Sequence, residues 1–132
     1  RQMNPRKVYA IDHGLVAACV PPTSADTGHH LENLVYLELR RRGEVIGYHR
    51  TASGREVDFV WLDRHGDQHL VQVCADLGDD ATRKRELGAL AEAMDEVPHE
   101  SAFVVSIHED GFAKADHKEV RLVPAWRWLA MP

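Results

Sequence analysis

Apolar and polar positions along this chain change period several times, and each change marks an element. Residues 29–42 run without Gly or Pro, and at 100° per residue Leu31, Leu34, Val35 and Leu39 form one apolar arc, with Glu32 at its edge and Glu38 within it. This predicts a first main helix, closed by Arg40, Arg41 and Arg42, whose charge suits the carboxyl end of a helix dipole, and stopped by Gly43. Three runs of strand character follow at 44–49, 55–62 and 69–75. The stretches 51–54 and 63–67 between them are rich in turn formers, so consecutive antiparallel hairpins are the economical arrangement. Asp79 and Asp80 precede a second main helix over 81–96, where Leu87, Leu90, Ala91 and Met94 keep the i, i+3, i+4, i+7 spacing before Pro98 closes it. The apolar run 102–107 suits a buried strand, 120–123 a shorter one, and 126–131 a terminal helical turn. Upstream, 6–11 reads as a short strand leading through Asp12-His13-Gly14 into a short helix around 15–18; Pro21-Pro22 ends that helix and 23–28 reads as a polar loop.

The order helix, three strands, helix, strand, strand predicts an α/β fold bordering on α+β. The strand–helix–strand passage from 75 to 107 requires a crossover and at least one parallel pair, hence a mixed central sheet flanked by helices. With 132 residues, one domain spanning 1–132 is expected. Apolar and charged fractions of 44% and 28% exclude the disordered and low-complexity classes. No run approaches the roughly 20 apolar residues of a spanning helix, and no secretory apolar segment opens the chain, so a cytoplasmic location without a membrane partner is expected. Cys19 and Cys74 are expected as reduced thiols. A net charge of −5 argues against a wholly basic nucleic-acid binder while leaving room for a local basic patch. The first residue is not Met, and the opening reads like mid-protein sequence, so a piece of a longer polypeptide is expected.

The middle of the chain holds the one constellation with spatial logic. On an alternating strand Glu56, Asp58 and Val60 share one face and Val57, Phe59 and Trp61 the other; on the next, Leu70, Gln72 and Cys74 share a face. Pairing sets Gln72 beside Asp58, and Glu32 can reach the same place from the first helix. Carboxylates with an amide oxygen are hard ligands of the kind Mg²⁺ or Mn²⁺ accepts. The plainer alternative makes Asp58 a solvent-facing residue, or half of an ion pair with Arg50 or Arg55 worth at most about 1 kcal/mol. His29 and His30 project about 100° apart and do not converge on a metal. There is no HExxH, no CxxC and no G-x-x-x-x-G-K-[ST], so neither a zinc site nor a P-loop ATP site belongs to this piece. Cys74 reads as a half-buried structural thiol, and Trp126 and Trp128 as packing anchors.

The strings GHHLENLVYLELRRRG, ASGREVDFVW and HLVQVCADLGDDATRKRELGAL resemble the uncharacterised domain that follows the ATPase module in a family of bacterial and archaeal AAA-type ATPases. The flanks KVYAIDHGL and VRLVPAWRWLAM look like the same family. That domain is similar in fold to the PD-(D/E)XK nuclease superfamily, with its α-β-β-β-α-β core. The resemblance implies a C-terminal fragment of a longer ATPase, with the ATPase domain of the same polypeptide as a partner. It sets Glu32 on the superfamily's helix Glu, Asp58 on its strand Asp, Gln72 on its (D/E) position and Cys74 on its Lys position. An amide oxygen can still ligate a metal, whereas a neutral thiol supplies neither the cation nor the strong donor that lysine brings. Lys84 or Arg83 is the candidate substitute cation.

Two functions follow as expectations. One is a catalytically degenerate nuclease-like module that binds nucleic acid or another protein, with Arg41, Arg42, Arg50, Arg55 and Arg83 as contact candidates. The other is an active phosphodiesterase in which Glu32, Asp58 and Gln72 hold Mg²⁺ or Mn²⁺ to activate water against a DNA phosphate. The loss of the lysine favours the first. A dimerisation domain is the third alternative.

Overall fold

A computed structural model describes residues 24–130. The expected strand and helix within 6–20, and Cys19, lie outside the described residues. The order is α1 (Ser24–Arg42), β1 (Gly43–Arg50), β2 (Glu56–Asp63), β3 (Gln68–Val73), α2 (Asp80–Glu96), β4 (Ser101–Ser106), β5 (Gly111–Ala115), β6 (Lys118–Pro124) and α3 (Ala125–Ala130). The expected α-β-β-β-α-β succession is therefore present, and β5 is an addition to it.

The six strands form one mixed sheet in the order β1-β2-β3-β4-β6-β5. The β1–β2, β2–β3 and β5–β6 pairs are antiparallel; β3–β4 and β4–β6 are parallel. Helices cover both faces, which is why the central strands are apolar at consecutive positions rather than at alternate ones. Leu70, Val104 and Leu122 pack with Leu87, Leu90 and Ala91 of α2. Their neighbours Val71, Val105 and Val123 point the other way, against Leu31, Val35 and Leu39 of α1 and Trp128 of α3.

Local chemistry accounts for the element ends. The Asp79 side chain caps α2 by accepting the Thr82 N–H at 2.9 Å, which holds its carboxyl below the usual range. Gly43 sits directly at the α1–β1 junction: a Cβ there would press into the Leu62 carbonyl oxygen and lie 2.9 Å from Trp61 Nε1. The Trp61 indole donates to the Leu39 carbonyl at 2.9 Å and fastens α1 to the sheet. Glu38, within the expected apolar arc, is tolerated because Arg41 and Arg42 pair with it at 2.8 and 2.9 Å. The Arg41 hydrogen bond, with the Arg42 charge, holds its carboxyl below the usual range.

Four expectations need correction. Helix α1 begins at Ser24, so residues 24–28 are helical rather than a loop. Ser and Asp favour helix starts, no proline interrupts residues 23–42, and Gly28 meets no crowding. Strand β5 was not expected: Gly-Phe-Ala-Lys-Ala lacks the β-branched residues that mark strands. Its hairpin with β6 turns at Asp116, whose φ of 57° is a conformation Asp tolerates better than most residues. Trp126 is 63% exposed while Trp128 is 2% exposed, because residues two apart on a helix face nearly opposite directions and only one can meet the sheet.

The fourth correction bears on the site. Val57 pairs with His49 and Val60 with Gly47, so β2 carries one extra residue against β1 at Asp58-Phe59. This β-bulge breaks strict alternation, and Val57 joins Val60 in the α2-side core instead of facing away with Phe59 and Trp61.

Candidate functional site

The bulge on β2 lies where β2 and β3 stop pairing through their backbones. The ladder runs Leu62–Gln68, Trp61–His69, Val60–Leu70 and Phe59–Val71, and side chains take over beyond it. The Asp58 N–H donates to Gln72 Oε1 at 2.9 Å, and the Val73 N–H donates to Asp58 Oδ2 at 2.8 Å. Asp58 and Gln72 thus meet as the sequence predicted, and they act as a clasp between the strands.

Gln72 is 2% exposed, so its amide must find partners within the protein. Its Nε2 donates to Glu86 Oε2 at 2.6 Å and to the Glu56 carbonyl at 3.3 Å. The amide oxygen therefore faces an N–H and the amide nitrogen faces a carboxylate, which fixes its orientation. Glu86 reaches Gln72 from α2, where it is half-buried and Arg85 approaches it at 3.5 Å. Sequence reasoning missed Glu86, because a glutamate between Arg85 and Leu87 on an amphipathic helix carries no signal of its inward hydrogen bond.

Cys74 lies one residue past the end of β3, half-buried, with its backbone N–H on the Val105 carbonyl and its thiol donating to the Asp76 carbonyl at 3.4 Å. Burial pushes the thiol pKa up and the Glu86 charge adds to it, so Cys74 is a neutral, poorly reactive group. Glu32 lies half-buried on α1, whose apolar side packs on the sheet face opposite α2. Gln72, bonded to Glu86 of α2, is directed to the α2 side.

Hydrogen bonds within the protein already engage several of these donors. The Gln72 oxygen is engaged by Asp58, one Asp58 oxygen is engaged by Val73, and among the described residues no three His, Cys, Asp or Glu side chains converge for a metal ion. Of the expected Mg²⁺ or Mn²⁺ set, Asp58 and Gln72 meet through their hydrogen bond, while Glu32 lies on α1 as expected.

The basic candidates fall into separate places. Lys84 and Arg83 lie on α2 beside a cleft of about 730 Å³ that Arg55 and Lys114 also line. Asp80, Glu92, Asp95 and Asp116 line it too, so its charge is balanced. Glu92 there accepts from the Ser53 hydroxyl at 2.6 Å and backbone N–H at 3.0 Å, which lowers its pKa and ties the β1–β2 turn to α2. Arg50 is exposed at the end of β1, paired in register with Glu56. Arg41 and Arg42 line a different cleft, at the carboxyl end of α1.

Comparison with known proteins adds two matches. A family described as "Domain of unknown function (DUF4143)" matches residues 27–128, from the first turns of α1 to α3. An uncharacterized protein of Methanocaldococcus jannaschii, MJ1544, is 33% identical over 114 residues, covering 80% of this chain and 25% of that protein. The chain thus spans about a quarter of the length of this curated relative. No solved structure matches. No helix among the described residues is long and apolar enough to cross a membrane.

Proposed function

The chain belongs to the DUF4143 family, and from that premise we propose that it is a nuclease-like accessory module of an ATPase-bearing protein, catalytically degenerate and used for binding nucleic acid. The observation that carries this reading is the commitment of Gln72: its oxygen is held by Asp58 and its nitrogen by Glu86, beside a Cys74 thiol kept neutral by burial. An amide locked between a backbone donor and a carboxylate is a structural clasp, and a neutral thiol supplies no charge to a phosphate. The α-β-β-β-α-β order supports the kinship of scaffold, and scaffold alone confers no chemistry. Binding to nucleic acid is supported by Arg41 and Arg42, which line a cleft with further arginines in a chain of net charge −5.

The test pairs cleavage with binding. Plasmid incubated with the protein and Mn²⁺ stays intact, while anisotropy of labelled DNA reports binding that weakens steeply between about 50 and 200 mM salt. Mn²⁺-dependent nicking that disappears in Asp58→Ala would replace this reading with the active phosphodiesterase. Neither nicking nor binding would leave the ATPase domain of the same polypeptide as the partner.

A further inference from the structure

We propose that the cleft at the carboxyl end of α1 binds a phosphate-bearing ligand, with the phosphate seated among Arg42, Arg64 and Arg121. This inference stands on residues apart from the Asp58–Gln72 clasp, and it deepens the nucleic-acid reading above, which rests on the same cleft. The cleft encloses about 440 Å³, within the range of small-molecule sites. Its arginines come from three elements: Arg42 from α1, Arg64 from the β2–β3 turn and Arg121 from β6.

Two of the three are held in place before any ligand arrives. The Arg42 guanidinium donates to Glu38 at 2.9 Å and to the Trp128 carbonyl, and it lies 5.0 Å over the Trp128 ring. Arg64 donates to the Arg41 carbonyl at 2.8 Å. Arg121 is exposed and makes no ion pair among the described residues. Asp63 is the one carboxylate in the lining, and it is occupied: His69 Nε2 lies 2.7 Å from it and the His65 and Asp67 N–H groups donate to it at 2.9 and 3.0 Å. Glu38, behind Arg41 and Arg42, is likewise consumed by its two arginines. The cleft therefore keeps a positive surplus.

A second observation points to a ligand independently of charge. His69 and Trp128 also line the cleft, they are 7% and 2% exposed, and His69 Nδ1 and Trp128 Nε1 are buried without any hydrogen-bond partner. A buried polar group left unpaired costs about 1–3 kcal/mol, and an indole N–H can be satisfied only by an acceptor. Arginine forks are likewise donors only, with a geometry that suits oxyanions. Donors converging from three elements fit a tetrahedral phosphate, with acceptor oxygens on several sides, better than a flat two-oxygen carboxylate. Phe103 and Trp61 in the wall offer apolar surface to the body of the ligand.

The indole N–H resonances of the three tryptophans provide the assay. Trp126, exposed and outside the cleft lining, is the internal reference. The 132-residue chain is titrated with inorganic phosphate, AMP and an unphosphorylated oligothymidylate, with acetate at matched ionic strength as control. A saturable shift of the Trp128 signal is expected with phosphate compounds and not with acetate, with dissociation constants raised about tenfold in Arg121→Ala and in Arg64→Ala, the loss of one strong contact. Tighter binding of AMP assigns the site to a free nucleotide phosphate, and tighter binding of the oligonucleotide to a nucleic-acid backbone. The proposal is overturned if no phosphate compound moves Trp128 saturably, if acetate matches them, or if both folded arginine variants bind as the parent does.

Discussion

Gln72→Glu tests the clasp directly. The substitution preserves size and keeps an oxygen facing the Asp58 N–H, but it replaces the amide donor that lies 2.6 Å from Glu86 with a second carboxylate. Loss of a hydrogen bond to a charged partner costs about 1.5–3 kcal/mol, and like-charge repulsion adds to it until one carboxyl takes up a proton. A total of about 3 kcal/mol at pH 7 is expected. With a urea slope near 1.5 kcal/mol per molar, that lowers the unfolding midpoint by about 2 M. Two crowded carboxyls have a raised pKa in the folded state, so the variant's deficit grows as pH rises through that value and shrinks as pH falls toward the unfolded carboxylate pKa of about 4. Urea unfolding of parent and variant at pH 7 and pH 5, with EDTA present, should therefore show a deficit at least halved at the lower pH. Equal midpoints at pH 7, or a deficit that does not change with pH, would refute the clasp.

Three further outcomes are expected. Gly43→Ala lowers stability by about 1–3 kcal/mol in thermal unfolding, because the new methyl meets the Leu62 carbonyl and Trp61 Nε1 at the α1–β1 junction; an unchanged melting temperature would contradict the close approach. Cys74 alkylates more slowly at pH 8 than a free cysteine peptide, since burial and the Glu86 charge raise its pKa; peptide-resolved mass spectrometry separates it from Cys19. Glu38, Asp63, Asp79 and Glu92 are all held below their usual pKa by hydrogen bonds, from Arg41, His69, Thr82 and Ser53 respectively. Their contribution to stability is complete above the unfolded carboxylate range and lost as pH falls through their lowered values, so chemical unfolding should weaken progressively below about pH 4. Stability that holds steady to pH 2 would contradict those partnerships.

The mixed sheet and its helices were legible because they rest on short-range rules. Period, proline placement and the Asp79 cap need only neighbouring residues to operate. The continuous apolar run at 102–107 already implied a buried strand, as the packing of Val104 on the α2 side and Val105 on the α1 side bears out. The pairing of Asp58 with Gln72 was legible for the same reason, since adjacent hairpin strands bring such residues side by side.

What the sequence left undecided depends on register and on side chains from distant elements. One extra residue at Asp58-Phe59 redirects Val57, and nothing in the order of amino acids marks a bulge that strand pairing alone creates. Glu86 reaches Gln72 across 14 residues of chain, and that contact gives the Gln72 amide nitrogen its carboxylate partner. Arg42, Arg64 and Arg121 are spread over three elements, so their convergence on one cleft with His69 and Trp128 exists only once the sheet has formed. Local propensity thus determined which elements this protein builds, whereas the partners of each polar group, and with them the chemistry open to it, were decided by tertiary packing.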